Sequence, residues 1–145
     1  MKTTKHIAAL LAALVLALSL TACGQTAAED DPMNPAIPVA DGAEIGEGSN
    51  TFTTEVADQD GKAVTFTVHT DEETVGNALL KLHVVAGEAS SYGLYVKTVN
   101  GMTADYDKDG VYWAFYIDGE YAMTGVDATN ITDGAQYAFR MEKAN

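Results

Sequence analysis

Three aspartates at alternating positions are the sharpest candidates for chemistry in this sequence. Asp105, Asp107 and Asp109 precede Gly110, which reproduces the D-x-D-x-D-G opening of a calcium-binding loop. In such a loop the carboxylates converge on the ion, and the glycine permits the sharp turn. The twelfth position, which supplies a bidentate glutamate in a complete loop, is Tyr116. The motif therefore indicates a weak calcium site at most, in an acidic hairpin loop.

The histidines and serines supply no recognisable catalytic arrangement. His69 and His83 stand at a spacing that matches no metal motif, and Ser90 and Ser91 have no obvious base nearby in the sequence. The sequence contains no nucleophile elbow, phosphate loop or dinucleotide fingerprint. We therefore expect neither enzymatic activity nor a required cofactor.

The single cysteine stands at the end of an N-terminal targeting segment. A short cationic stretch is followed by an apolar run from Ile7 to Leu20, which is too short for a membrane span of roughly 20 residues. The run ends in Leu20-Thr21-Ala22-Cys23, which resembles the lipobox of bacterial lipoproteins. This resemblance implies cleavage before Cys23 and diacylation of its sulfur, and the alternative is an ordinary secretory signal with an incidental cysteine.

The targeting segment fixes the expected location of the protein. We expect residues 1–22 to be a signal peptide and the mature chain to be anchored by lipid in the bacterial cell envelope, outside the cytoplasm. Several acyl chains give an anchor that is effectively permanent. A lone cysteine also excludes a disulfide framework and a cysteine-rich zinc site.

The charge balance excludes some partners. Lysines and arginines number 8 against 21 acidic residues, a net charge of −13. Removal of the signal peptide leaves 6 cations against 21 anions, or −15. Nucleic acid is therefore not expected as a partner, because phosphate binding requires clustered cations.

Composition divides the mature chain into a linker and a domain. Residues 23–50 hold the lipidated cysteine, all three prolines and scattered acids, with no apolar period. We expect a flexible acidic linker there, although Ile37 and Val39 leave room for an edge strand. The folded domain is expected to occupy residues 51–145.

The periodicity of the domain predicts strands around one helix. Alternating residues predict a hairpin that turns at Asp60-Gly61, and apolar residues at helical spacing then predict a helix that starts at Thr70 or Thr74 and ends at Gly87. Further strands are predicted in the C-terminal part, over residues 94–99, 112–117, 120–123 and 136–142. The order indicates an α+β fold in which a β-grasp-like mixed sheet packs on one helix.

Aromatic residues form the third candidate feature. In the strand 112–117, Trp113 and Phe115 share one face with Ile117, and Tyr112 and Tyr116 share the other. We expect the tryptophan face to meet the helix. The tyrosines then lie outward, where they form either a recognition surface or a half-buried sheet face.

The stretch from about Thr51 to Lys143, which is most of the mature chain, resembles the transcobalamin-like C-terminal domain family. The residues that carry the resemblance are Thr74-Val75, Ala78-Leu79-Leu80, Val99-Asn100-Gly101, Tyr112-Trp113, Phe115, Gly125-Val126, Asp133-Gly134 and Tyr137-x-Phe139-Arg140. The resemblance implies a β-grasp domain of the ligand-binding type. In the animal carriers, that domain forms the smaller half of a two-domain clamp on cobalamin.

Together these observations predict a membrane-anchored extracytoplasmic binding module without catalysis. The resemblance implies a corrinoid or another small molecule as ligand. The residues expected to bind it are Tyr112, Trp113, Tyr116, Tyr121 and Met123. The alternative is a cell-surface module that binds an envelope protein and no small molecule.

Overall fold

The computed structural model describes residues 31–145, so the signal peptide and Cys23 lie outside the described residues. Strands dominate this part of the chain, and their order is β1 (Glu44–Gly46), β2 (Asn50–Ala57), β3 (Ala63–Thr70), β4 (Val85–Ser90), β5 (Gly93–Val99), β6 (Met102–Thr103), β7 (Val111–Ile117), β8 (Glu120–Tyr121) and β9 (Gln136–Lys143). The helical elements are α1 (Val75–Lys81), the single turn α2 (Tyr106–Asp109) and a 3-10 turn (Val126–Ala128). Within residues 31–145, no helix has the length and apolar content that a bilayer crossing requires.

The strands form two sheets. The larger has the order β1-β3-β2-β9-β7-β8, with parallel pairs β1–β3 and β2–β9, and the smaller has the order β4-β5-β6. A strand-rich α+β fold with one main helix is therefore confirmed. The sequence predicted one sheet, but β4 to β6 form a separate one that packs against β7. The indole N–H of Trp113 on β7 joins the two sheets because it donates to the carbonyl of Lys97 on β5, at 3.1 Å.

The main helix begins where one of the two predicted caps lies. The hydroxyl of Thr74 accepts a hydrogen bond from the backbone N–H of Asn77 at 3.2 Å, so Thr74 is the N-cap of α1. Thr70 instead accepts from the N–H of Glu72 at 3.1 Å, just before the helix. A cap of this type contributes about 1 kcal/mol to helix stability.

The helix ends earlier than the periodicity predicted. Leu82 is its C-cap, and His83 takes a left-handed conformation with φ of 59°. The chain then enters β4, because the sheet buries Val84 and Val85. Gly87 is therefore a strand residue and not a helix terminator, which corrects the prediction. It lies at a bulge where β4 approaches β5 closely.

The proline-rich segment packs on the domain. Val39 and Ile45 are buried, and Glu44–Gly46 adds a parallel edge strand to β3. The flexible linker predicted up to residue 50 is therefore wrong for residues 38–50. The physical reason is that the few apolar side chains between the prolines and glycines find space in the core. An edge strand is present, as the sequence allowed, but it begins at Glu44, five residues after Val39.

The core lies between the larger sheet, α1 and β4. Phe52 and Tyr137 meet edge-on with ring centroids 5.2 Å apart, and Phe115 and Phe139 lie at the same distance. Burial of one such side chain stabilises the fold by roughly 1.5–3 kcal/mol. Phe115 and Trp113 are both buried, as predicted for this face of β7, but the hydrogen bond of Trp113 joins it to β5 and not to the predicted helix.

Candidate ligand-binding surfaces

Two tyrosines on the outer face of β7 share one carboxylate. The hydroxyl of Tyr112 donates to Glu142 on β9 at 3.2 Å, and the hydroxyl of Tyr116 donates to the other oxygen of the same carboxylate. Both residues point outward because β7 alternates its side chains between the two faces of the sheet. Burial and the Glu142 hydrogen bond raise the pKa of Tyr112. The Glu142 hydrogen bond and burial likewise raise the pKa of Tyr116.

Neighbouring side chains hold the Tyr116 ring from two sides. The guanidinium of Arg140 lies 4.6 Å from the ring centroid, within the range of a cation–π contact. The ring of Tyr121 on β8 meets it edge-on, with centroids 5.7 Å apart. Arg140 is itself fixed by Glu55 on β2, at 3.3 Å. The structure therefore brings together three of the predicted residues, Tyr112, Tyr116 and Tyr121.

Trp113 lies apart from these tyrosines. Its side chain is buried on the inner face of β7, and its indole N–H donates to Lys97 as described above. The sequence grouped Trp113 with the outward tyrosines as a ligand contact. The alternation of β7 instead directs its side chain inward, towards the smaller sheet, where its indole N–H contacts the backbone of β5.

Exposed apolar residues occupy two adjacent loops. Tyr121, the last residue of β8, is 57% exposed, and Met123, in the loop that follows, is 92% exposed. Tyr92, at the tip of the β4–β5 hairpin, is 95% exposed. The carbonyl oxygen of Tyr92 lies 4.0 Å from the point that a Cβ on Gly125 would occupy, so the two loops lie side by side. We call Tyr92, Tyr121 and Met123 the loop surface. The sequence analysis did not select Tyr92, although a large aromatic residue in a predicted turn could have indicated an exposed contact residue.

Glycines permit this close approach of the loops. Gly93 has φ of +101°, and a Cβ there would lie 2.8 Å from a carboxylate oxygen of Asp127. A Cβ on Gly125 would lie 3.0 Å from the same oxygen. That oxygen is buried and has no hydrogen-bond partner among the described residues. The carboxylate of Asp127 therefore lies between the two loops, in space that is free because Gly93 and Gly125 have no side chains.

A separate cleft opens between the smaller sheet and α2. Its volume is about 740 Å³, and its walls carry two exposed tyrosines and charges of both signs. We call it the tyrosine cleft, and the side chains that define it are Glu88, Tyr95, Lys97, Asp105, Tyr106 and Lys108. Sequence analysis missed it as a site, because β4, β5 and α2 come together only in the folded chain.

Lys97 and Glu88 form a fixed pair inside the tyrosine cleft. The ammonium nitrogen of Lys97 lies 2.9 Å from the carboxylate of Glu88 and 6.0 Å from the centroid of the Tyr95 ring. The hydrogen bond to Glu88 raises the pKa of Lys97, and burial opposes this shift. Lys97 and Glu88 thus form a solvent-accessible ion pair on one wall of the cleft.

The aspartates of the calcium-like motif form a helical turn. Asp105 is the N-cap of α2, and its carboxylate accepts the backbone N–H of Lys108 at 3.0 Å. Because residues two apart in a helical turn point about 200° apart, the side chain of Asp107 points away from those of Asp105 and Asp109. No group of three potential metal ligands occurs anywhere in the part of the chain that the structure describes. The convergence of carboxylates that the sequence motif predicted is therefore absent from this turn.

The remaining candidates for chemistry lie apart from one another. His69 is hydrogen-bonded to Thr51 at 3.1 Å and to Glu44 at 3.3 Å, on the outer face of the larger sheet. His83 closes α1 at a different position in the fold. The hydroxyl of Ser90 donates to the carbonyl of Gly93 at 2.6 Å and so belongs to the hairpin turn.

Fold and surfaces together define a strand-rich α+β domain with exposed aromatic surfaces. Residues 72–143 match the model of a family described as a domain of unknown function, DUF4430. A crystal structure from Ruminococcus gnavus ATCC 29149, of a protein provisionally described as metal binding, is similar over 67% of this chain and 100% of that chain. It has 29% sequence identity and a TM-score of 0.63.

A second solved structure has a similar fold. Haptocorrin in complex with Cbi is similar over 70% of this chain, with 18% identity and a TM-score of 0.50. The matched part is 27% of the haptocorrin chain, so the likeness concerns the fold of one portion of that protein. No curated protein matches this chain. The predicted transcobalamin-like resemblance therefore holds at the level of the fold.

Proposed function

We propose that this protein is a membrane-anchored extracytoplasmic module that binds a small ligand and catalyses no reaction. In this proposal the diacylated Cys23 holds the mature chain at the membrane, and the domain stands outside the cytoplasm. The lipobox-like sequence and the preceding apolar run support the anchor.

The observation that carries the binding function is the loop surface. Tyr92 and Met123 are almost fully exposed on loops that lie side by side. Exposed apolar side chains that cluster on one surface commonly mark a binding site. Tyr121 connects this surface to the outer tyrosines of the sheet, because its ring meets that of Tyr116 edge-on.

We propose a corrinoid as the ligand of the loop surface. The likeness to haptocorrin supports a β-grasp-like domain of the kind that contributes one side of a cobalamin site. A corrinoid is a large and partly apolar ring system, and the apolar loops would cover one of its faces. A single domain covers one face only, so we expect micromolar rather than tighter affinity for the isolated chain.

Calorimetric titration tests this proposal. The chain from residue 24 onward, which contains every described residue, is titrated with cyanocobalamin and with cobinamide. We expect saturable binding that weakens at least tenfold in Tyr121→Ala and in Met123→Ala. Tyr95→Ala is the control, because that tyrosine is also exposed but lies in the tyrosine cleft. Absence of saturable heat with both corrinoids would contradict the corrinoid proposal.

One observation favours the alternative of a protein partner. Tyr92 and Met123 project from turns, and side chains on projecting turns fit into a pocket on a partner better than they enclose a ligand. A partner in the cell envelope would then bury these two residues. Crosslinking in intact cells, from a photoreactive amino acid at position 92 or 123, would give a discrete protein adduct in that case and none if the surface binds a free small molecule.

A further inference from the structure

We propose that the tyrosine cleft is a second binding site, which takes a neutral saccharide. The proposal goes beyond the corrinoid function, because the cleft and the loop surface share no residue. The cleft volume of about 740 Å³ lies within the range of roughly 300–1,000 Å³ that is typical of small-molecule sites.

The tyrosines supply the flat surfaces that a sugar ring needs. Tyr95 on β5 and Tyr106 on α2 line the same cleft and are both exposed, and the Lys97 ammonium lies 6.0 Å from the centroid of the Tyr95 ring. The face of a pyranose ring presents C–H bonds, and these stack favourably on the electron-rich face of an aromatic ring. Neither ring is covered by another aromatic side chain of the described residues.

The charges in the cleft favour a neutral ligand. Three acidic residues, Glu88, Asp105 and Asp107, and two basic residues, Lys97 and Lys108, line the cleft, so the two signs nearly balance. An anionic ligand would meet three carboxylates, and a cationic ligand would meet two ammonium groups. A neutral polyol avoids both penalties, since each hydroxyl both donates and accepts and therefore pairs with either group.

Part of the polar lining is already in place before a ligand arrives. Lys97 and Glu88 are paired at 2.9 Å on one wall, and on the other the backbone N–H of Lys108 donates to the carboxylate of Asp105. Preorganised side chains lower the entropy cost of binding. We therefore expect the cleft to distinguish saccharides by the positions of their hydroxyl groups.

Trp113 provides a reporter for this site. It is the only tryptophan, and its indole N–H is bonded to the carbonyl of Lys97, whose side chain lines the cleft. A ligand that shifts Lys97 should change the environment of the indole. Binding at the loop surface should change it much less.

The test uses the chain from residue 24 onward and three named probes. Cellotriose, maltotriose and triacetylchitotriose are titrated while tryptophan fluorescence and heat are recorded, and a glycan array extends the range of sugars. We expect saturable binding of at least one neutral saccharide, with a change in fluorescence. Tyr95→Ala and Tyr106→Ala should each weaken it at least tenfold, and the matched control Tyr92→Ala should leave it unchanged.

Several results would overturn the proposal. These are absence of binding both to the array and to the three probes, binding that survives Tyr95→Ala and Tyr106→Ala, and tighter binding of an anionic sugar such as trigalacturonate. Circular dichroism of each variant confirms its fold, and Lys97→Met provides a second cleft variant if one tyrosine variant unfolds. Corrinoid titration of the same variants distinguishes this outcome from failure of the loop-surface proposal.

Discussion

The side chain of Asn100 forms two hydrogen bonds with the backbone of Val39, 61 residues earlier in the chain. Its carbonyl oxygen accepts the Val39 N–H at 2.6 Å, and its amide nitrogen donates to the Val39 carbonyl at 3.2 Å. Asn100 is 3% exposed and has φ of 48°, a left-handed conformation that asparagine adopts more readily than most residues. One side chain therefore fastens the N-terminal segment to the turn between β5 and β6.

Replacement of Asn100 should destabilise this attachment. Asn100→Ala leaves both polar groups of Val39 buried and unpaired, and we expect a loss of about 2–4 kcal/mol in urea unfolding. Asn100→Gly also removes both hydrogen bonds but accepts the left-handed backbone, so it should lose about 1 kcal/mol less. A glycine variant as stable as the native protein would show that the two hydrogen bonds contribute nothing.

Glu142 should control how the outer tyrosines titrate. Together with burial, which is the larger cause for Tyr112, it raises the pKa of both Tyr112 and Tyr116, so in the folded protein these phenols should lose their protons above their ordinary pKa of 10. Because the folded pKa values exceed the unfolded value, this contribution to stability is complete below pH 10 and is lost as the pH rises through the folded pKa values. Tyrosinate absorbance during an alkaline titration measures the effect.

The matched variant for this titration is Glu142→Gln. It should move the tyrosinate transition to lower pH, because a neutral amide no longer disfavours the phenolate. Glu47 is an exposed glutamate that is distant in sequence from Glu142, so Glu47→Gln should leave the transition unchanged. An unaltered transition in Glu142→Gln would mean that burial alone sets the two pKa values.

Gly93 should tolerate substitution less well than another glycine with positive φ. Gly93→Ala places a Cβ 2.8 Å from the Asp127 carboxylate, whereas Gly119, with φ of +86°, has nothing within 4 Å of that point. We expect a loss of about 2–3 kcal/mol for Gly93→Ala and about 1 kcal/mol for Gly119→Ala. Thermal unfolding compares them, and equal losses would contradict a steric role for Asp127.

Cys23 should determine whether the protein is attached to the membrane. In the native protein we expect incorporation of a palmitate analogue and recovery in the membrane fraction. Cys23→Ser should abolish both, because no other cysteine is present to accept the lipid. Lipid labelling that persists in Cys23→Ser would reject the proposed anchor.

The chain itself determined the features that depend on neighbouring residues. The alternation along β7 separated Trp113 from Tyr112 and Tyr116, and both the inner and the outer face follow from it. The cap of α1 at Thr74 was one of two starts that the local sequence allowed. These features are encoded by period and by short-range hydrogen bonds, which a sequence displays directly.

Only the tertiary structure decided the features that depend on distant residues. The segment around Val39 resembles a linker by composition, and it is ordered because Asn100 and the core receive it. The end of α1 depends on a sheet that buries Val84, and the tyrosine cleft depends on β5 meeting α2. Local sequence propensity cannot predict these contacts, because each joins parts of the chain that are distant in sequence and meet only in the folded protein.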